Sequence, residues 1–270
     1  MGNDNVSRAR RHFCQVVGAL TGAAVLGAVS KLAKASLPCI CPPEGIPPFP
    51  CTSCGARCML RGTRILTSRG AELIENLSIG NLLVTTRGEK PIKWIGRQHF
   101  SHGRSARWPD SVHPVRVSRS ALADNVPHSD LYLSPMHFLL IDDVLIAVKD
   151  LVNGTSITCF VPEGVTDIEY FHIELETHEV ILAEGALVET FLPTEGRESF
   201  SNFIEYERLY GPDVGPAMVP YAPMLFYSGG RKHLKALLRL GVSQVIDVRD
   251  PIQVAYDRIA ARATKSCLPV

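Results

Sequence analysis

The chain has 270 residues, 46% hydrophobic and 20% charged, which is enough to bury a substantial core and unlike a disordered or collagenous composition. Lys plus Arg (28) nearly balance Asp plus Glu (27), but Arg8, Arg10, Arg11, Lys31 and Lys34 face only Asp4 in the first 35 residues, so the rest carries a net charge of −3. A mildly acidic body has no phosphate-neutralising stripe, which argues against nucleic acid as a partner. The longest apolar stretch, Val16 to Val29, is short for a bilayer and diluted by Gly18, Thr21, Gly22 and Gly27.

Residues 1–35 read as an export signal: a basic region, an apolar region, and Ala33-Lys34-Ala35 as a small-x-small cleavage site. The string SRARRHFC, with Arg10 and Arg11 followed by Phe13, resembles a twin-arginine signal, whose pathway carries folded proteins. That implies the export machinery as a partner and a periplasmic or secreted location; an uncleaved anchor or an ordinary secretory signal are the alternatives.

Residues 36–57 form a Pro- and Cys-rich segment, LPCICPPEGIPPFPCTSC with its flanks, unable to make a helix or a central strand. Cys39, Cys41, Cys51 and Cys54 suit two disulfides, with a four-thiolate metal site as the weaker alternative and an unpaired linker behind it. Cys159 and Cys267, in apolar and tail contexts, read as inert.

From Cys58 onward, short β-type runs such as TRILT, LLVTT, PIKWIG, LYLS, FLLI, VLIAV, YFHIEL and EVILAEG recur between turn residues, predicting an all-β domain over 58–192. An internal echo, IENLSIG (Ile74–Gly80) and VKDLVNG (Val148–Gly154) 74 residues later, implies two similar halves. Residues 193–270 read as a linker and a helical tail. The Gly- and Pro-rich stretch Thr194 to Gly230 is the linker, a helix runs through Lys232 to Leu240, and a second starts at Asp250-Pro251. That second helix places Ile252, Ala255, Tyr256 and Ile259 on one face and runs to about Ala263.

Three blocks carry chemistry. CMLRGTRILTSRGAELIENLSIG (Cys58–Gly80) opens on a cysteine followed by a β-run and a Gly turn. LSPMHFLLI (Leu133–Ile141) sets Ser134 three positions before His137. YFHIELETHEVILAEG (Tyr170–Gly185) carries the Thr177-His178 step and a small-x-Gly turn. Together, in this order, they resemble the hedgehog/intein (Hint) superfamily, closest to its compact bacterial variants. The resemblance implies a horseshoe of short strands with pseudo-twofold halves. It also implies self-processing: the Cys58 sulfur attacks the carbonyl of Arg57, and the resulting thioester is opened by water or another nucleophile.

On that resemblance His137, as imidazolium, protonates the leaving nitrogen, worth on the order of 10² to 10⁴ in rate. Ser134 donates to the carbonyl oxygen, and His178 orients the site or activates the resolving species. No cofactor is implied, and the substrate is the chain's own N-terminal segment. Cleavage would release Ser36–Arg57, a 22-residue peptide. Splicing members end in a His-Asn pair; here Val188, Glu189 and Thr190 stand at that place, so splicing is not expected.

Plainer readings stand beside each assignment: a Cys54–Cys58 disulfide, a core histidine at 137, a turn-shaping Ser134 and a strand-end His178. On the scale of the whole chain, the plainer reading is a non-catalytic exported adaptor with a pinned Cys-rich neck. His172, alternating with Phe171 and Ile173, is expected on the outward face of a strand, and His99, His102, His113 and His128 carry no assignment.

Overall fold

A computed structural model describes residues 57–101, 108, 112–160, 164–193, 196–211, 218–226 and 250–266. The expected signal, the cysteines at 39, 41, 51, 54 and 267, and the helix through Lys232 to Leu240 lie outside the described residues.

The described residues form fifteen strands and two α-helices. One sheet has the order β11-β7-β8-β1-β12-β6: Ile157–Cys159, Val115–Val117, Leu131–Leu133, Met59–Leu60, Asp167–Glu174 and Trp94–Ser101. The other runs β15-β10-β9-β14-β13-β2-β4-β5, from Met224–Leu225 through Val144–Ala147, Phe138–Ile141, Ala186–Glu189, Val180–Ala183, Arg64–Thr67 and Leu82–Thr85 to Gly88–Pro91, with β3 (Gly70–Leu73) paired to β2. All of this is the all-β architecture expected of the sequence.

Period-two burial explains the strands. In β2 and β4 the second and fourth residues are buried, and in β7 and β8 the first and third. Turn chemistry sets the register. Thr67 donates its hydroxyl to the Gly70 carbonyl (2.8 Å) and Thr85 to that of Gly88 (2.7 Å), closing two matching hairpins. Residues Glu184 and Gly185 both have positive φ (48° and 81°), the type I′ pattern that joins β13 to β14 and places Val180 opposite Glu189.

The 74-residue echo is structural. Each copy follows a hairpin and forms a 3-10 turn, Ile74–Asn76 and Val148–Leu151, that buries an apolar pair: Ile74 with Leu77, Val148 with Leu151. Ile74 donates its N–H to the Thr63 carbonyl (2.8 Å) and Val148 to the His137 carbonyl (2.9 Å). Thr63 and His137 stand at the same offset, so the repeat itself sets the backbone of His137 at the head of β9.

Described parts of the stretch read as a linker are instead built into the body. Phe200 and Tyr206, on and just before helix α1 (Phe203–Tyr210), pack edge-on against Trp94 at 5.4 and 5.3 Å between ring centroids. Arg197 forms a two-pronged buried pair with Glu174 (2.7 and 2.9 Å) and lies over the Tyr206 ring. Strand β15 adds to β10 in parallel, Leu145 opposite Met224. The Gly and Pro content marked turns between these short elements; it did not mark a free connection.

Helix α2 (Pro251–Ser266) starts as expected, with the Asp250 carboxylate accepting the Ile252 N–H at 3.0 Å. Ile252, Ala255 and Ile259 are buried in the main core beside Val148 and Leu151, and Arg262 binds the Ser120 carbonyl (2.7 Å) and Asp124. The tail is therefore docked by a continuous apolar face, each large side chain contributing about 1.5–3 kcal/mol of burial. No helix among the described residues is long and apolar enough to cross a membrane.

Candidate functional site

Strand β1 lies between β8 and β12, with Met59 opposite both Leu133 and Phe171. This pairing puts Cys58, one residue upstream, beside the turn Ser134-Pro135-Met136-His137. Two hydrogen bonds lock the contact: the Ser134 hydroxyl accepts the Cys58 N–H at 2.7 Å, and the Ser134 N–H donates to the Cys58 carbonyl at 2.9 Å. The turn then closes on itself, His137 N–H to Ser134 carbonyl at 3.0 Å, and returns the imidazole to the same region. Cys58 is a buried thiol rather than a half-cystine. The Ser134 turn thus holds the Cys58 backbone at one end and carries His137 at the other, where the Arg57 carbonyl acts on the imidazole; the Arg57 guanidinium lies over the Phe138 ring, 5.0 Å from its centroid.

The expectation for His172 is overturned. It is 2% exposed, its ring centroid 5.3 Å from that of His137 and 5.3 Å from that of Phe191. Strand alternation put it opposite the Phe171 and Ile173 face correctly. That other face is not solvent, however, because Phe191 and Phe200 cover it.

Glu189 is the second residue that sequence reasoning passed over, having noted it only as the absence of an asparagine. At the end of β14 it is 0% exposed; one carboxylate oxygen accepts the Phe138 N–H (3.3 Å) and the other lies 3.4 Å from His178 Nε2. The Tyr221 N–H donates to His178 Nδ1 at 2.8 Å, which makes Nδ1 the acceptor and leaves Nε2 as the protonated nitrogen of the neutral ring, aimed at Glu189. His178 therefore sits in the site at one remove, through Glu189. A usable signal did exist: the Glu184-Gly185 turn dictates a two-residue hairpin, and its register carries Glu189 back beside His178.

One ligand atom from each of His137, His172 and Glu189 lies within 4.8 Å of the others, all three residues buried. These are the groups among the described residues that could hold a metal ion; the cysteines first considered for one fall outside them.

Burial governs the electrostatics. It pushes the His137 imidazole down from 6.5 to about 4, Glu189 and the Arg57 carbonyl opposing the shift, and the Arg57 guanidinium and His178 adding to it. His172 is pushed well below 6.5, again chiefly by burial and then by His137. At neutral pH His137 is consequently a neutral imidazole, not the imidazolium expected from the sequence. Burial, with Cys58 as the secondary cause, raises the Tyr170 phenol, which stays neutral and donates to the Val112 carbonyl at 2.8 Å.

A sequence model of the Hint domain matches residues 57–195, half of the chain, starting one residue before the cysteine of this site. The chain belongs to the Hint domain family. Solved structures similar to it include the crystal structure of the gp41-1 intein, at 11% identity, covering 50% of this chain and 98% of that one with a TM-score of 0.34. A bacterial intein-like domain from Clostridium thermocellum shares 13% identity over 51% of this chain and all of its own (TM-score 0.37). A DnaB intein from Synechocystis sp. PCC 6803 shares 9% over 51% of this chain and all of its own (TM-score 0.34). No curated protein matches the chain.

Within the first block, the Asn81 side-chain oxygen accepts the Ser78 N–H at 2.9 Å, and Met59 is fully buried between its strand neighbours. A Hint fold carries a general capacity for self-processing, and here Ser134 binds the backbone of a buried cysteine, while His137, at the end of the same turn, lies with His172 and Glu189 in a buried cluster.

Proposed function

We propose that this chain is an exported self-processing protein that cuts its own Arg57–Cys58 bond through a thioester, without splicing. The observation that carries the reading is the grip on that bond. Its nitrogen is held by the Ser134 hydroxyl at 2.7 Å, and the carbonyl on its other side acts on the His137 ring, while the nucleophilic sulfur belongs to Cys58 itself.

Neutral His137 takes the thiol proton, and the Cys58 sulfur attacks the Arg57 carbonyl carbon. The C–N bond then breaks and the nitrogen leaves as the free amine of Cys58, taking back the proton from His137. Ser134 holds that nitrogen in place throughout; it is better placed there than at the carbonyl oxygen. Water hydrolyses the thioester, leaving an Arg57 carboxylate and a Cys58 amino terminus. Burial of Cys58 and His137 removes competing water, so the Arg57 carbonyl and its neighbours interact at low dielectric. Glu189 and Thr190, at the place of a cyclising pair, support cleavage over splicing. The basic-apolar leader supports export, and the segment upstream of Cys58 is the substrate.

The test is intact-mass analysis of the purified full chain with and without dithiothreitol, beside Cys58→Ala. A fragment beginning at Cys58, promoted by thiol and absent in the alanine variant, is expected. An uncut wild-type chain whose fold is verified by thermal unfolding contradicts the reading and favours a non-catalytic adaptor.

A further inference from the structure

The side chain ahead of the Arg57–Cys58 bond is itself held by the fold. The Arg57 guanidinium carbon lies 5.0 Å from the centroid of the Phe138 ring, within the range at which a cation is drawn to the negative face of an aromatic, and its Nε is shielded from solvent. Phe138 opens β9 directly after His137 and is fully buried. The turn that returns His137 to the site therefore also delivers a ring to the residue whose carbonyl the proposed reaction attacks.

Three contacts fix that ring. The Phe138 N–H donates to Glu189 at 3.3 Å, and the side chain packs in a small buried cluster with Leu145, Ala147 and Val180. Segment 218–226 closes over the cluster: the Pro223 carbonyl accepts the Leu145 N–H at 2.9 Å, Met224 packs on the cluster, and Phe226 meets Phe138 edge-on, centroids 6.3 Å apart and planes at 86°. Phe226 stands beyond residue 195, where the Hint match ends, so a part of the chain outside that domain orients the ring. A ring already held in place loses little freedom on meeting a cation, and the attraction strengthens where water is excluded. The planar, weakly hydrated guanidinium suits such a face better than a strongly hydrated ammonium does, and a carboxylate meets the negative face of the ring with repulsion.

We propose that Phe138, oriented by Phe226, is the specificity-determining seat for the residue before the cut, and that it selects an upstream segment ending in arginine. The ring touches the side chain of residue 57 and none of the reacting atoms, so it acts by positioning. With the guanidinium seated on Phe138 and the Cys58 nitrogen held by Ser134, the peptide unit between them is fixed at both ends, which restricts the carbonyl that the sulfur must reach. The substrate class is thus a peptide segment whose last side chain is a planar cation. This selection rests on the self-processing reading; the seat itself does not.

The experiment separates the two. In the full-length Cys58→Ala chain, which does not cut itself, a double-mutant unfolding cycle pairs Arg57→Ala with Phe138→Leu. The expected coupling is about 5- to 30-fold in the unfolding equilibrium constant, the scale of a cation on a shielded ring. Additive effects overturn the seat. In the cleaving chain, fragment release followed by mass is expected to be fastest with Arg57 and to slow through Arg57→Lys and Arg57→Leu to Arg57→Glu, the leucine variant by about 5- to 30-fold. That preference is expected to collapse in Phe138→Leu and to narrow in Phe226→Leu. An arginine preference undiminished in folded Phe138→Leu overturns the selection, and one undiminished in Phe226→Leu overturns the part given to Phe226. Thermal unfolding establishes which variants are folded. Where Phe138→Leu is not, the series at position 57 takes its place, and Arg57→Leu or Arg57→Glu cutting at the parental rate overturns the proposal. A coupled pair in a chain that never cleaves overturns the self-processing reading and with it the selection, and leaves the seat standing.

Discussion

The Ser134 hydroxyl lies 2.7 Å from the backbone nitrogen of Cys58, and the Ser134 N–H returns a hydrogen bond to the Cys58 carbonyl, so residues 76 apart in sequence hold the two sides of one amino acid. That reciprocal contact follows from the pairing of β1 with β8, and it fixes the nitrogen that leaves if the bond ahead of it is cut.

Replacing Ser134 by alanine removes the side-chain half of this contact. The self-cleavage rate is expected to fall about 10²-fold, the scale for losing one positioned hydrogen bond at a reacting group. Stability drops by about 1–3 kcal/mol because the buried Cys58 N–H loses its acceptor. Fragment release followed by mass spectrometry and urea unfolding measure the two effects, and Ser134→Thr restores a large part of both.

The depressed imidazole of His137 predicts two pH profiles. Cleavage persists on acidification through pH 6.5, where an ordinary histidine protonates, and is lost only as pH falls toward about 4. For stability the sign is set by the unfolded chain, whose histidine takes up a proton below about 6.5 while the folded one does not. The contribution is full above that pH and lost progressively as pH falls to about 4, a change of about 3 kcal/mol from this residue; His172 acts in the same direction. Urea midpoints between pH 8 and pH 4.5 are expected to decline more steeply for the parent chain than for His137→Gln.

Tyr221 sets the His178 tautomer through its backbone N–H, from a segment outside the matched Hint boundaries. Tyr221→Pro deletes that donor and frees His178 to turn from Glu189, so slower cleavage is expected. Tyr221→Phe keeps the N–H and loses only the phenol contact with Thr86 (2.9 Å), and is expected to cleave at close to the parental rate. Equal rates in the two variants contradict the role given to the donor.

Gly96 has no room for a side chain: a Cβ there would lie 2.6 Å from the Phe200 ring. Gly96→Ala is expected to cost about 1–3 kcal/mol by overpacking against the ring that covers His172. Adding Phe200→Leu, which withdraws the aromatic ring, should recover part of the loss in a double-mutant unfolding cycle.

Much of this was legible in the sequence because it depends on local rules. The β-runs alternate, the Gly turns recur, Asp250-Pro251 caps a helix, and the 74-residue echo reports a repeat that the backbone obeys at Thr63 and His137. Cys58, Ser134 and His137 could be found because their blocks keep order and spacing. The burial of His172 and Glu189 could not, for a shared reason. Alternation says which face of a strand a residue occupies but not whether another segment covers that face, and the cover over His172 comes from Phe191 and Phe200. Glu189 reaches His178 only through a hairpin register and becomes informative once both are known to be buried. The protonation state of His137 was misjudged for the same cause, since burial, the dominant influence on it, is a tertiary property.

The most direct measurement is hydroxylamine trapping of the purified full chain, with mass analysis of the released N-terminal peptide. A thioester at Cys58 predicts a peptide ending in an Arg57 hydroxamate, together with a body starting at Cys58, and neither product from Cys58→Ala. A folded parent chain that stays intact, or a cut that persists in Cys58→Ala, would contradict it.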